Sequence, residues 1–197
     1  QRMVELEGQA LRANMNPHFV FNALNAIHDF IANQDERSAH LYLGKFAQLI
    51  RRILDQSRRN FISLEEEFDT LRLYLELENM RFEHKFEYGL KLENHMQPYD
   101  IELPPMLIQP YIENAIIHGF TNTNYPCKLL IDISLCNGLV TCKIKDNGVG
   151  RQVSQSEKVR VLGPNKKSMA IGINNKRIDL LNESSDRNFK VEIIDCY

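Results

Sequence analysis

No stretch of this chain is apolar for long enough to span a membrane, and no secretory leader precedes its first helical pattern. An excess of charge is missing too. The 24 Lys and Arg stand against 26 Asp and Glu, a formal net charge of -2, so nothing points to a nucleic-acid or anionic-membrane partner. Cysteine is sparse: Cys127, Cys136, Cys142 and Cys196 show no CxxC spacing and no companion His cluster. They read as reduced cytosolic thiols rather than a disulfide frame or a zinc site. A starting methionine is also lacking and the chain opens within a helical pattern, so it is expected to be a fragment. What is present is ordinary globular material, 43% apolar and 25% charged over 197 residues. That is enough for one or two domains with a substantial core.

The first informative stretch is Asn16-Pro17-His18-Phe19-Val20-Phe21-Asn22. Apolar or small residues recur at Leu6, Ala10, Ala13, Val20, Leu24, Ile27 and Ile31, an alternating four-three spacing that marks a helix packing on other helices. His18, Asn22, Asn25 and Asp29 repeat that spacing on the flank, where a histidine is fixed by the helix yet open to an incoming reagent. Taken by itself, the stretch is better read as carrying a solvated surface histidine, and the reactive reading needs support from elsewhere in the chain. Asn16-Pro17 starts a helix as cap and first turn, or Pro17 bends a helix that runs through it.

Residues 1 to about 32 read as one helix or two in line, 32–35 as a turn, and Asp35 to Arg59 as a second helix with Ala39, Leu43, Phe46, Ile50 and Ile53 on one stripe. A lone hairpin cannot cover its own stripe. Pairing of two copies into a four-helix bundle is expected; the alternative is packing on the chain's own second domain. Ser63-Leu64-Glu65-Glu66 signals a capped helix running to about Arg81, and the domain boundary is placed at 60–62. The expected domains are therefore 1–60 and 61–197. Phe86 to Glu93 reads as a strand, Pro98 to Pro105 as a loop, and Met106 to Gly119 as an apolar helix closed by glycine. Lys128 to Cys136 and Leu139 to Asp146 are strands joined by Asn137-Gly138, a strong hairpin signal. Gly172 to Asn182 looks helical and Phe189 to Asp195 reads as a final strand. The mixture predicts an α+β chain with helices on one face of a sheet. Between hairpin and last helix, Arg151 to Met169 carries five basic residues against Glu157 and little apolar periodicity, as a functional lid or a solvated loop would.

Two further elements can carry chemistry. Glu113-Asn114-Ala115-Ile116-Ile117-His118-Gly119 sets Asn114 and His118 one turn apart, and an asparagine oxygen is a hard ligand of the kind magnesium accepts. Asp146-Asn147-Gly148-Val149-Gly150 closes a strand; its carboxylate can accept from an exocyclic amine, and its glycines let backbone approach a flat ring or phosphates. A plain tight turn explains the same residues. Four of the nine glycines fall between Gly148 and Gly172, and that clustering favours a site.

Taken in order with Pro104-Pro105-Met106-Leu107-Ile108-Gln109-Pro110-Tyr111 and Ala170-Ile171-Gly172-Ile173-Asn174-Asn175-Lys176-Arg177, these pieces closely resemble the LytS-like sensor histidine kinases, a branch of the bacterial two-component kinases. The resemblance spans nearly the whole chain. It implies a dimerising helical hairpin, a four-helix bundle in the homodimer, followed by an α/β sandwich of the gyrase and histidine-kinase ATPase type. It further implies His18 as phospho-acceptor, with Asn22 one turn on to orient the ring. Asn114 would hold Mg2+ on the ATP phosphates, with Glu113 and His118 nearby. Asp146 would bind the adenine amine, Gly148 and Gly150 line the pocket, 151–169 form the lid with Gly172 as its far hinge, and Arg177 offers a phosphate contact. The implied partners are a second copy, an upstream sensor region of the same parent, and a response-regulator receiver domain whose aspartate takes the phosphate. The implied place is the cytoplasm, with the parent anchored in the bacterial inner membrane.

The chain differs from the best-known kinases at three points: Phe19 follows the histidine where an acid is usual, Ile117 stands where a basic residue is frequent, and the glycine pair after the lid is reduced to Ala170 and Gly172. The last strand of the family fold is expected to lie past Tyr197. These differences keep two other readings in view, an ATP-binding signalling scaffold with little kinase activity and a gyrase-type ATPase clamp. Phosphoryl transfer rests mainly on positioning and charge neutralisation. A histidine of ordinary pKa near 6.5 is largely neutral and nucleophilic at pH 7, so a strong base beside His18 is not essential.

Overall fold

The structure is a computed structural model and describes residues 17–120, 123, 125–150, 172, 174, 175, 178, 179, 182, 183 and 189–194, the side chains of Pro17, His18 and His118 excepted. Helix α1 (Pro17–Ala32) and helix α2 (Glu36–Ser57) are joined at a turn in which Gln34 adopts a left-handed φ of 59°. Asp35 caps α2: its carboxylate accepts from the Ser38 N–H at 3.0 Å. Asn16, the expected cap of the first helix, lies outside the described residues.

The two helices pack on each other and on helix α3 (Leu64–Arg81). The stripe they bury is Phe19, Ala23 and Ala26 on α1 with Ala39, Tyr42, Leu49 and Ile53 on α2. It is the stripe read from the sequence only in part: Ala39 and Ile53 are buried and Ile27 and Phe46 pack against the core, but Leu24, Ile31 and Leu43 are exposed. Phe21 (67% exposed) shares the uncovered strip of Leu24 and Ile31 on α1. Aromatic stacking decides between the two faces. The Phe19 ring lies 5.3 Å from that of Tyr74 on α3 and 5.9 Å from that of Phe46, and Phe30 lies 5.8 Å from Tyr42. These contacts turn Phe19 and Phe30 of α1 and Phe46 of α2 inward, with Ile27 packed against the same core, and leave Leu24 and Ile31 outside.

Helix α3 starts at the expected capping box. The Ser63 hydroxyl accepts from the Glu66 N–H and the Glu66 carboxylate from the Ser63 N–H. Leu71, Leu73, Tyr74, Leu75 and Leu77 are all buried, and Glu67, Thr70 and Glu78 are buried beside them, so the helix is covered on most of its sides and sits centrally. Its polar remainder is fastened to α2. Lys45 pairs with Glu76, Arg52 with Asp69 at 3.3 Å and Arg59 with Glu66 at 2.6 Å. The basic partners stand seven residues apart while their acids fall in descending order, so α2 and α3 run antiparallel. Such partly exposed pairs contribute only about 0–1 kcal/mol each. Below them the buried Gln56 amide donates to the Thr70 hydroxyl at 2.8 Å and to the Glu66 carbonyl at 3.2 Å.

Strand β1 (Ile62–Ser63) pairs antiparallel with β3 (Glu102–Leu103), a short ladder in a segment expected to be pure loop. The main sheet has the order β2 (Phe86–Leu92), β4 (Cys127–Cys136), β5 (Leu139–Asp146). β2 is parallel to β4, and the crossover between them carries helix α4 (Gln109–Asn114). β4 and β5 form the expected hairpin, with Asn137 and Gly138 both at positive φ, 51° and 78°, as a tight two-residue turn requires. Cys127, Leu129, Ile131 and Ile133 alternate into the core while Lys128, Leu130 and Asp132 face outward.

Two further expectations are revised. The helix predicted over Met106 to Gly119 begins at Gln109, because Met106 has a left-handed φ of 57° that no helix accommodates. It then widens to a π-helical turn over Ala115–Gly119. Residues 189–194, predicted as a strand, form none. Both backbone polar groups of Phe189 are taken by the Asn182 side chain at 2.8 Å instead of a ladder partner. The described residues between Gly172 and Glu183 are helical as expected, and Cys127, Cys136 and Cys142 are free thiols.

Tyr74 is fully buried and its hydroxyl has no hydrogen-bond partner among the described residues. Burial foremost, then the carboxylates of Glu78 and Glu113, push that hydroxyl well above its ordinary pKa of 10. Removing an unsatisfied buried hydroxyl relieves a desolvation cost while the ring keeps its packing. Tyr74→Phe is therefore expected to leave the unfolding free energy unchanged or raise it by up to about 1 kcal/mol. Urea titration reads this directly, and a loss beyond about 1 kcal/mol would reveal a partner for the hydroxyl.

Candidate functional site

The site forms where α4 and its π turn end against the end of β5. Gly119 closes the turn and Asp146 closes the strand, so the two motifs meet at one end of the sheet. Their contact is backbone on backbone. A Cβ added at Gly148 would lie 2.5 Å from the Gly119 Cα and 2.6 Å from its carbonyl oxygen, closer than any side chain tolerates. A Cβ at Gly119 would meet the Asp146 Oδ1 at 3.2 Å. The Val149 N–H donates to the Gly119 carbonyl at 3.0 Å and locks the approach.

Asp146 is exposed, and its Oδ1 accepts from the Gly148 N–H at 2.9 Å, which orients the carboxylate. Asn147 points the other way and stitches the turn to the start of β4. Its Oδ1 accepts from the Lys128 N–H at 2.6 Å and its Nδ2 donates to the Pro126 carbonyl at 3.0 Å. Gly150 then adopts a φ of 75°, a conformation that favours glycine. The strand end thus offers one exposed carboxylate beside close-packed glycine backbone.

Asn114 is half-buried at the last position of α4. Glu113 is buried and accepts from the Gln109 Nε2 at 2.8 Å, one turn back. The helical residues described after Gly172 reach the same element. Buried Asn174 donates from Nδ2 to the Leu107 carbonyl at 3.0 Å, and Asn175 Oδ1 accepts from the Tyr111 hydroxyl at 3.0 Å. Gly172 is exposed with open space around it. The structure therefore gathers Glu113, Asn114, Gly119, Asp146, Gly148 and the helix after Gly172 around α4.

His18 and Asn22 stand apart on α1, where Asn22 is half-buried. The side chain of His118, the lid 151–169, Ala170 and Arg177 lie outside the described residues. Four contributors escaped the sequence reading: Gln109, Asn147, Asn174 and the acid Glu67 of α3. Asn147, Asn174 and Glu67 act through bonds to residues far along the chain, which no local pattern marks, while Gln109 reaches Glu113 one turn along the same helix, a spacing the sequence did hold. The Gly119–Gly148 pair had a signal in its two glycines, but only the fold shows that they touch.

A carbonyl oxygen at Asn114 is chemically fit to join phosphate and water oxygens around magnesium. The exposed, oriented Asp146 carboxylate is fit to accept from an exocyclic amine. A site of this composition can hold a nucleotide with its ring by β5 and its phosphates toward α4.

The family model described as Histidine kinase matches residues 6–86. Sensor protein LytS of Staphylococcus epidermidis is 30% identical over 159 residues, 81% of this chain and 26% of that protein. Sensor protein LytS of Bacillus subtilis is 34% identical over 146 residues, 74% of this chain and 24% of the relative. Sensor histidine kinase/phosphatase LytS of Staphylococcus aureus is 32% identical over 162 residues, 81% and 26%. The chain spans about a quarter of the length of the curated relatives it matches.

The glycine contact predicts a contrast. Gly148→Ala forces the turn off Gly119 and should lower stability by about 2 kcal/mol or more, in the range of overpacking. Gly172→Ala meets open space and should change stability by less than about 1 kcal/mol in either direction. Thermal unfolding of the two variants side by side checks this, and equal shifts would remove the close approach.

Proposed function

We propose, for a chain that belongs to the LytS-like sensor histidine kinases, that it transfers the γ-phosphate of ATP to His18 and from there to an aspartate of a response regulator. In this reading residues 61–197 are an ATP-binding domain of the gyrase and histidine-kinase type, and residues 1–60 carry dimerisation and the phospho-acceptor. The observation that carries the reading is the meeting of Gly119, Asp146 and Gly148, three positions from two distant motifs, beside Asn114.

Asp146 accepts from the adenine amine, and the glycine backbone leaves room for the ring. Asn114 contributes one oxygen to Mg2+, which neutralises phosphate charge when bound. Glu113, held by Gln109, keeps α4 in place beside it. His18 supplies the nucleophilic ring nitrogen: a nitrogen–phosphorus bond forms at the γ-phosphorus as the bond to the bridging oxygen breaks, ADP leaves, and the ring proton passes to solvent. Asn22, one turn along α1, orients the ring. His118, Gly150, Gly172 and Arg177 complete the nucleotide surround.

The parent protein carries its sensor upstream, and its anchoring in a membrane belongs to segments outside this chain. Among the described residues no helix is long and apolar enough to cross a membrane. The uncovered strip of Phe21, Leu24 and Ile31, which helical spacing puts on one side of α1, supports pairing with a second copy, because exposed apolar surface of this kind marks an interface.

Incubation with labelled ATP and magnesium tests the chemistry. The wild type should label itself, and the label should be lost in acid and kept in alkali. His18→Gln should abolish labelling while leaving ATP affinity within about twofold, far below the tenfold that 1.4 kcal/mol represents. Acid-stable label persisting on His18→Gln would overturn the mechanism, and phosphate release without any phosphoprotein would favour an ATPase clamp.

Assembly is tested separately by light scattering, which should give about twice the 23.0 kDa chain mass. Replacing Leu24 and Ile31 together by Ser should reduce that to a single chain mass. A wild type that scatters as a monomer at tens of micromolar would remove the homodimer.

A further inference from the structure

The buried acid of α3 has no part in the chemistry above. Glu67 is 1% exposed, and its two carboxylate oxygens accept from two backbone N–H groups nearly forty residues away: Met106 at 2.9 Å and Ile108 at 3.2 Å. A carboxylate buried this deeply costs several kcal/mol unless paired or hydrogen-bonded, and these charge-assisted bonds are of the stronger kind. They also hold a strained residue, since Met106 sits at a φ of 57°, which a side-chain-bearing residue adopts reluctantly. Between the two clamped N–H groups the Leu107 carbonyl faces the opposite way, and there it accepts from the buried Asn174 Nδ2. The next residue after the clamp, Gln109, is the first of α4.

We propose that Glu67 is a positioning residue that sets two walls of the nucleotide site through one peptide segment. Its clamp on Met106 and Ile108 places the start of α4, hence Asn114, and presents the Leu107 carbonyl that anchors the helix of Gly172 to Glu183. The proposal rests on the reading of these two helices as walls of an ATP site. The clamp explains why α4 begins three residues after the apolar pattern does, and why an acid occupies the core side of a helix whose neighbours are leucines.

Glu67→Gln keeps size and polarity but turns one acceptor into a donor, so one of the two N–H groups loses its partner. Hydrogen exchange on the full chain reads the consequence without nucleotide. Peptides covering 104–110 and 172–183 should both exchange at least about fivefold faster, with 17–57 unchanged. Acceleration confined to 104–110, or spread equally over the hairpin, would overturn the linkage. Should Glu67→Gln fail to fold, Asn174→Ala removes only the outer bond and should accelerate 172–183 by a similar factor; no acceleration there overturns the proposal. Calorimetry with Mg-ATP separates the two readings. If the wild type binds, both variants should bind several-fold more weakly, Glu67→Gln about tenfold and Asn174→Ala, which removes a neutral hydrogen bond, somewhat less, and unweakened binding in both overturns the proposal. If the wild type does not bind, the ATP site fails, while the exchange pattern still decides whether Glu67 links the two helices.

Discussion

Everything in this chain leans on α3. A helix with Leu71, Leu73, Tyr74, Leu75 and Leu77 buried must be covered on most of its circumference, and only the strip that carries Glu65 and Arg72 is left to water. α2 covers one side, with Tyr42, Leu49 and Ile53 pressed inward and three ion pairs above them. The sheet covers another, through Phe86 at the start of β2 and the inward residues of β4. Three polar side chains that α3 nevertheless buries are matched, Glu78 with Arg81, Thr70 with Gln56 and Glu67 with the backbone before α4, while the Tyr74 hydroxyl is not. Satisfied polar groups in a dry core fix one arrangement among the many that greasy packing alone would allow.

The candidate site follows from a different constraint, the contact of two turns. Gly119 ends a helix and Gly148 follows a strand, and their backbones meet only because neither carries a Cβ. That contact brings an exposed carboxylate to the open end of the sheet and leaves a helix end beside it. Asn147 holds the turn from behind, so the glycine contact is not left to flexible backbone. The arrangement gives a flat, amine-bearing ring one oriented acceptor and little steric resistance.

The hairpin has two apolar faces and this chain covers one. Phe19, the neighbour of His18, stacks on Tyr74, and the Tyr74 hydroxyl lies in the field of Glu113, the neighbour of Asn114. The Tyr74 ring thus packs against α1 at the residue next to His18. The other face, with Leu24, Ile31 and Leu43, is left for a second chain in the assembly proposed above. Of the two alternatives the periodicity allowed, packing on the same chain is what α1 and α2 do against α3, and packing on a copy belongs to the proposal above.

Local rules were enough for much of this. The capping box at Ser63 and Glu66, the helix to Arg81, and the Asn137-Gly138 hairpin with its second strand from Leu139 to Asp146 are short-range matters of hydrogen bonding and φ, and they are legible in consecutive residues. The motifs around Asn114 and Asp146 were legible as candidates for the same reason. Which face of the hairpin turns inward was not, because a period of 3.6 marks an apolar stripe without saying which neighbour is aromatic. The start of α4 was not, because its residues are apolar enough to be helical, and only a carboxylate on another helix holds Met106 out of that conformation. Nor was the loss of a ladder at Phe189, where the Asn182 side chain takes the bonds a strand would use. Sequence by itself determined the elements and the chemistry on offer; tertiary structure decided which residues meet, since the hydrogen bonds and ring contacts that choose among locally equal conformations come from partners distant along the chain.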